Sequence, residues 1–152
     1  MASLIEFSDQ CVVYPVWGIA DTASDGSLAS SDYTASNLPT IDGFDKSMWI
    51  LTLGAVASDE TLDCQIYWAS NAVATDAAEI TNATDAVFVQ CTSAHSGSVF
   101  ILELDHVANG METGVLFPNV AIHGTITWSI ICILYKGNGA RPTTQFQTVV
   151  SV

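Results

Sequence analysis

Apolar and polar residues alternate along much of this chain. Between Thr61 and Trp68, Leu62, Cys64, Ile66 and Trp68 fall on one side, with Asp63, Gln65 and Tyr67 on the other. That period of two is the pattern of a half-buried strand. Ser98–Asp105 repeats it, with Phe100, Leu102 and Leu104 opposed to Glu103 and Asp105. In Thr125–Leu134 the residues Ile126, Trp128, Ile130, Cys132 and Leu134 alternate with Thr125, Thr127 and Ser129. Ile131 and Ile133 then make both faces apolar, which places the second half of this strand at a sheet centre or an interface. Met48–Leu53 and Ala86–Thr92 read as strands too, and Gln10–Val16, Val115–His123 and Thr144–Val150 as weaker ones.

This predicts about eight strands and one short helical piece around Asp76–Ile80. Turn signals stand at Asp25-Gly26, Asp42-Gly43, Asn109-Gly110 and Lys136–Gly139. Many short strands with polar turns predict an all-β fold. The expected form is an antiparallel β-sandwich, with a jelly roll favoured and an Ig-like sandwich or small barrel as alternatives. The expectation is one domain over 1–152, with an N-terminal arm over about 1–8 and a long polar loop over about 18–46. A loop of that length is functional or wraps a neighbour. Both ends carry apolar residues: Leu4, Ile5 and Phe7 at one, Phe146, Val149, Val150 and Val152 at the other. Free tails are usually polar, so these segments are expected to pair with the body or another chain. Leu4, Ile5, Phe7, Phe146 and Val149 are therefore the candidate interface residues.

Charge narrows the functions. The chain of 152 residues has 16 acidic and 3 basic side chains, a formal charge of −13. Three cations cannot neutralise a run of phosphates, so no nucleic-acid partner is expected. An anionic membrane surface is excluded in the same way, and no apolar run reaches the ~18 residues of a bilayer span. MASLIEFSDQ has neither the basic nor the apolar region of a signal peptide. Only 12% of residues are charged against 49% apolar, while Ser and Thr number 15 each. A surface so poor in charge is tolerable where partners cover part of it.

Catalytic signatures are missing from the sequence. Cys11, Cys64, Cys91 and Cys132 form no CxxC pair, and they read as small buried hydrophobes in a reducing compartment. His95, His106 and His123 lie in three segments with no HExxH, and read as surface or loop-end residues. Asp21, Asp25 and Asp32 do not have the spacing of a calcium loop. Glu103 and Asp105 share one strand face, whereas glycoside hydrolysis needs carboxylates across a cleft. No GxSxG, P-loop or GxGxxG occurs. The protein is expected not to be an enzyme and to need no cofactor or metal. Trp17, Trp49, Trp68 and Trp128 suit either core packing or a carbohydrate platform, with Trp17 and Trp49 the less determined.

The order of motifs is informative as well. A polar Ser31-Asp32-Tyr33 loop precedes the strand Met48-Trp49-Ile50-Leu51-Thr52-Leu53-Gly54-Ala55. Thr61-Leu62-Asp63-Cys64-Gln65-Ile66-Tyr67-Trp68-Ala69-Ser70 follows, then an acidic, alanine-rich turn, a late hydrophobic strand and Ala140-Arg141-Pro142. Over about residues 25–145 this resembles the head decoration, or cement, proteins of tailed bacteriophages. The resemblance implies a β-rich, oligomeric, non-enzymatic protein, made in the host cytoplasm and bound to the outside of the virion capsid. Its implied partners are the major capsid protein and copies of itself, with a homotrimer expected. The alternative is a carbohydrate-binding β-sandwich module of a virion tail or fibre, which an exposed Trp17 or Trp49 would support.

Overall fold

A computed structural model of the protein describes residues 11–18, 22–71, 76–80, 86–136 and 147–150. The strands are β1 (Cys11–Trp17), β2 (Thr22–Leu28), β3 (Lys46–Leu53), β4 (Thr61–Ala69), β5 (Ala78–Glu79), β6 (Val99–Asp105), β7 (Val115–Tyr135) and β8 (Gln147–Val150). Among the described residues the only helical turns are short 3-10 turns at Ser30–Asp32, Ala35–Asn37 and Ser93–His95. Every ladder is antiparallel. The fold is the all-β antiparallel one that the alternation predicts.

Its frame is β7, 21 residues long. The first half lies between β2 and β4, and β4 carries β5 on its far side. The second half lies between β1 and β3, followed outward by β6 and β8. One strand thus belongs to two sheets, β2-β7-β4-β5 and β1-β7-β3-β6-β8. Val115–His123 and Thr125–Leu134, two strands by pattern, are one strand with a bulge. From Ser24 to Gly26 is two steps on β2, while their partners Thr125 and Ile122 are three apart on β7. Gly124 stands in the bulge at φ +85°, a left-handed conformation that glycine adopts without steric cost. Strands pass between packed sheets at such bends.

Between the sheets lies one continuous core. Trp49, Leu51, Phe100 and Ile130 enter it from one sheet, and Leu62, Ile66, Leu116 and Val120 from the other. Each follows the alternation of its strand. Burying a side chain of this size is worth roughly 1.5–3 kcal/mol, so the inward pattern dominates the choice of register.

Four local expectations change. The polar stretch 18–46 holds β2 and two 3-10 turns, and Thr40 bridges Val115, so much of it lines the edge of β7. Asp25-Gly26 lies inside β2, opposite the bulge, instead of forming a turn. Ala86–Thr92 forms no regular strand. It runs beside β4 through bridges Gln65↔Val87 and Leu62↔Cys91, four residues against three, so its alternation slips at Val89 and Gln90, both exposed. Asp76–Ile80 contains β5 instead of a helix. By contrast, Asp42-Gly43 and Asn109-Gly110 make the expected turns, with φ +82° and +71° at their glycines.

Candidate functional site

Ser47 and His106, 59 residues apart, make a closer hydroxyl–imidazole contact than Thr92 and His95 and look most like a nucleophile and its base. His106 Nε2 lies 3.0 Å from Ser47 Oγ, and His106 Nδ1 lies 3.0 Å from the Phe44 carbonyl oxygen. A carbonyl can only accept, so Nδ1 carries the proton and Nε2 accepts from the Ser47 hydroxyl. Ser47 Oγ in turn accepts from Trp49 Nε1 at 3.1 Å. Both residues are fully buried. Burial holds the His106 pKa below its ordinary value, although the Phe44 carbonyl and the carboxylates of Asp105 and Asp45 pull it upward. The imidazole is therefore neutral, and the serine proton is already committed. This is a satisfied polar network in the core that no substrate reaches; His106 stands at a loop end, directly after β6, as the sequence suggests, but buried instead of on the surface.

Other potential chemistry is spent similarly. Glu103 accepts from Lys46 Nζ at 3.2 Å, and Asp105 is buried, with Oδ1 accepting from the Ala108 N–H at 2.8 Å. Glu103 thus pairs with a lysine and Asp105 caps a turn. At the bulge, Asp25 Oδ1 accepts from Gly124 N at 2.7 Å and lies 3.0 Å from His123 Nδ1. Glu60 accepts from Ala57 N and Thr125 N at 2.8 and 3.0 Å. These backbone donors hold both carboxyls below the usual carboxylate range. Asp32 caps the Ala29 N–H. His95 closes its 3-10 turn by accepting from Thr92 N. Cys64, Cys91 and Cys132 are buried and free; burial pushes the thiols of Cys64 and Cys132 up, and that of Cys91 to about 12. Thiols so placed are not nucleophiles.

The tryptophans build no open platform. Trp49 and Trp128 are fully buried. Trp17 stacks on Trp128 at 5.5 Å, with Tyr33 edge-on at 5.6 Å, and Trp68 Nε1 donates to the Thr113 carbonyl. The exposed Trp17 or Trp49 that would mark a carbohydrate platform is absent.

What remains is two outer faces. On the β1-β7-β3-β6 sheet the ladders align Pro15, Ile131, Ile50 and Ile101 in one row. Val13, Ile133, Met48 and Glu103 form the next, and Ser129, Thr52 and Val99 a third. Its charge is confined to one end, where Lys46 meets Glu103 and the Tyr135 hydroxyl donates to Glu103, which with burial raises the tyrosine pKa. Val13 is 52% exposed, and Ile50, Ile101, Ile131 and Ile133 are each partly exposed. On the β2-β7-β4 sheet the corresponding positions are Ser27, Asn119, Ala121, Asp63, Gln65 and Tyr67.

The apolar strand face foreseen at Ile131 and Ile133 is therefore real, and it is wider than those two residues. Met48, Ile50 and Ile101 extend it, and their signal is that Met48–Leu53 is itself apolar on both faces. Of the expected interface residues, Leu4, Ile5, Phe7 and Phe146 lie outside the described residues. Val149 lies in β8, paired with Phe100 on the edge of β6, so that end joins the body of the fold. Among the described residues no group of three or more His, Cys, Asp or Glu side chains could hold a metal ion, and no helix is long and apolar enough to cross a membrane. Compared with protein-family models, curated proteins and solved structures, the chain matches none.

Proposed function

We propose that this is a structural, non-enzymatic protein that decorates the outside of a bacteriophage capsid, docking through the outer face of the β1-β7-β3-β6 sheet. The observation that carries the reading is the set of aliphatic rows centred on Ile131, Ile50 and Ile101. Contiguous exposed apolar surface marks an interaction site. The rest of the chain is strongly acidic, at −13 overall, which steers it toward a basic shell and away from packaged DNA.

The size of the face also says how docking works. Four strands about 4.8 Å apart, with β7, β3 and β6 each showing three residues about 6.8 Å apart and β1 two, cover roughly 360 Å². A stable interface takes about 800 Å² from each partner. One copy held by this face alone binds weakly, so firm coating requires several linked copies. A homotrimer seated on the major capsid protein meets that requirement.

The test is co-sedimentation with shells assembled from the major capsid protein encoded alongside this chain. Wild type is expected in the pellet. Ile131→Thr with Ile50→Thr, β-formers that put no like charges opposite each other, should lower shell affinity at least tenfold, with the melting temperature held within a few degrees. A wild type that stays in the supernatant, or a variant that binds equally well, would overturn the reading.

A further inference from the structure

The outer face of the other sheet holds a groove of about 510 Å³, lined by Ser27, Asp63, Gln65, Val87, Asn119 and Ala121. Its shape follows from the register. Ala121 lies between Ser27 of β2 and Asp63 of β4, so a methyl group is the floor and longer side chains are the walls. In the next row Asn119 pairs with Gln65, and Val87 lies on the far side of Gln65. One row further, Tyr67 pairs with Phe117, their rings 5.9 Å apart and tilted by 51°. The volume falls within the ~300–1,000 Å³ of small-ligand sites.

The lining selects the ligand. The Asn119 amide gives one N–H to the Tyr67 hydroxyl; its second N–H and its oxygen, the Gln65 amide and the Ser27 hydroxyl still donate and accept, and a carboxylate accepts. Gln90 Nε2 lies 3.0 Å from each Asp63 oxygen, which fixes the carboxylate and leaves it lone pairs for a ligand. Among the described residues no Lys or Arg lines the groove, and a chain at −13 repels anions. An uncharged molecule with adjacent hydroxyls uses all of these groups at once. Each hydroxyl donates to Asp63 or an amide oxygen while accepting from an amide N–H. We propose that this groove binds a neutral saccharide, with Asp63, Gln65 and Asn119 holding its hydroxyls. This site is separate from the tryptophan platform ruled out above, and it stands whether or not the apolar face docks on a shell. If that face does dock, the groove is on the sheet turned away from it.

The experiment is saturation-transfer NMR on the full chain. The probes are neutral oligosaccharides ending in glucose, galactose, mannose or N-acetylhexosamine, with sialylated and sulfated oligosaccharides and oligolysine beside them. Signal transfer to at least one neutral oligosaccharide is expected. Asn119→Ala and Gln65→Ala should each weaken it about tenfold with an unchanged melting temperature, and Ala121→Tyr, which fills the floor, should abolish it. The proposal is overturned if no neutral probe receives transfer, or if binding survives Ala121→Tyr in a folded variant. A preference for the anionic probes, or for oligolysine with binding that fades in salt, overturns it as well.

Discussion

On the inward side, Val120 and Ile122 in the first half of β7 and Ile130 and Cys132 in the second occupy equivalent places in one core. On the outward side the first half shows Asn119, Ala121 and His123, and the second shows Ser129, Ile131 and Ile133. The backbone pairing is the same in kind, antiparallel with a neighbour on each side. Stability therefore requires the inward residues and leaves the outward ones free. Folding gains nothing from presenting isoleucine rows to water where the same strand elsewhere presents an amide and a histidine. That outward difference is the ground for proposing a different partner for each face.

Removing what the halves share should have the largest effect. Trp128 lies just beyond the bulge, fully buried and stacked on Trp17. Trp128→Ala should cost about 3–5 kcal/mol in denaturant unfolding, with both sheets lost in one transition. A loss under about 1 kcal/mol, or two separate transitions, would mean that the halves pack independently. Next comes the joint itself. Gly124→Ala places a Cβ against Glu60 Cγ in a left-handed backbone. The backbone cost alone is about 1–2 kcal/mol, and Glu60 must also leave the Thr125 N–H. About 2 kcal/mol is expected, with little change in ligand or shell affinity per folded molecule. A neutral substitution would show that the bulge relaxes easily.

The smallest effect sharpens the contrast inside the second sheet, where a histidine is buried beneath an apolar outer face. Unfolded, His106 takes up a proton near pH 6.5; folded, its lowered pKa resists protonation. Above that pH both states are neutral and pH has no effect through this group. As pH falls below it, the unfolded state binds more protons and stability drops, levelling off once the folded pKa is passed. Melting temperatures from pH 7 to 5 should fall in wild type and fall less in His106→Gln. Asp25 and Glu60, whose pKa values are lowered from 3.8 and 4.5, add their own losses only at more acidic pH. Parallel pH profiles for the two proteins would remove His106 from this account.

Alternation made β3, β4, β6 and both halves of β7 legible, because inward burial imposes a period of two on each; β1, where the neighbours Val12 and Val13 are both exposed, lacks that period and read only as a weaker strand. The joint between the halves was not, since Gly124 reads as a break. The groups that keep the ladder running through it are Asp25 and Glu60, 99 and 65 residues away from the N–H groups they accept from. Nor was β2, because TASDGSL has no apolar alternation and becomes a strand through its pairing with β7. Of the candidate site, Ile131 and Ile133 showed in the sequence as a face with no core to bury it. The rows that widen that face depend on register between distant strands, as does the groove. Ser47 and His106 carry no local mark of their meeting.

A strand that pairs with β1, β2, β3 and β4 also sets the order in which the molecule can be made. Those four strands leave the ribosome well before residue 115, and none of them pairs with another of the four in the described ladders. Until β7 follows, they offer open edges and unburied apolar residues, the condition in which nascent β-proteins aggregate. Closing both sheets on one late segment makes the ladders long in sequence separation, and such topologies fold slowly. The protein is thus expected to complete its fold only after β7 has been synthesised, and a truncation before Val115 would take the shared strand from both sheets together.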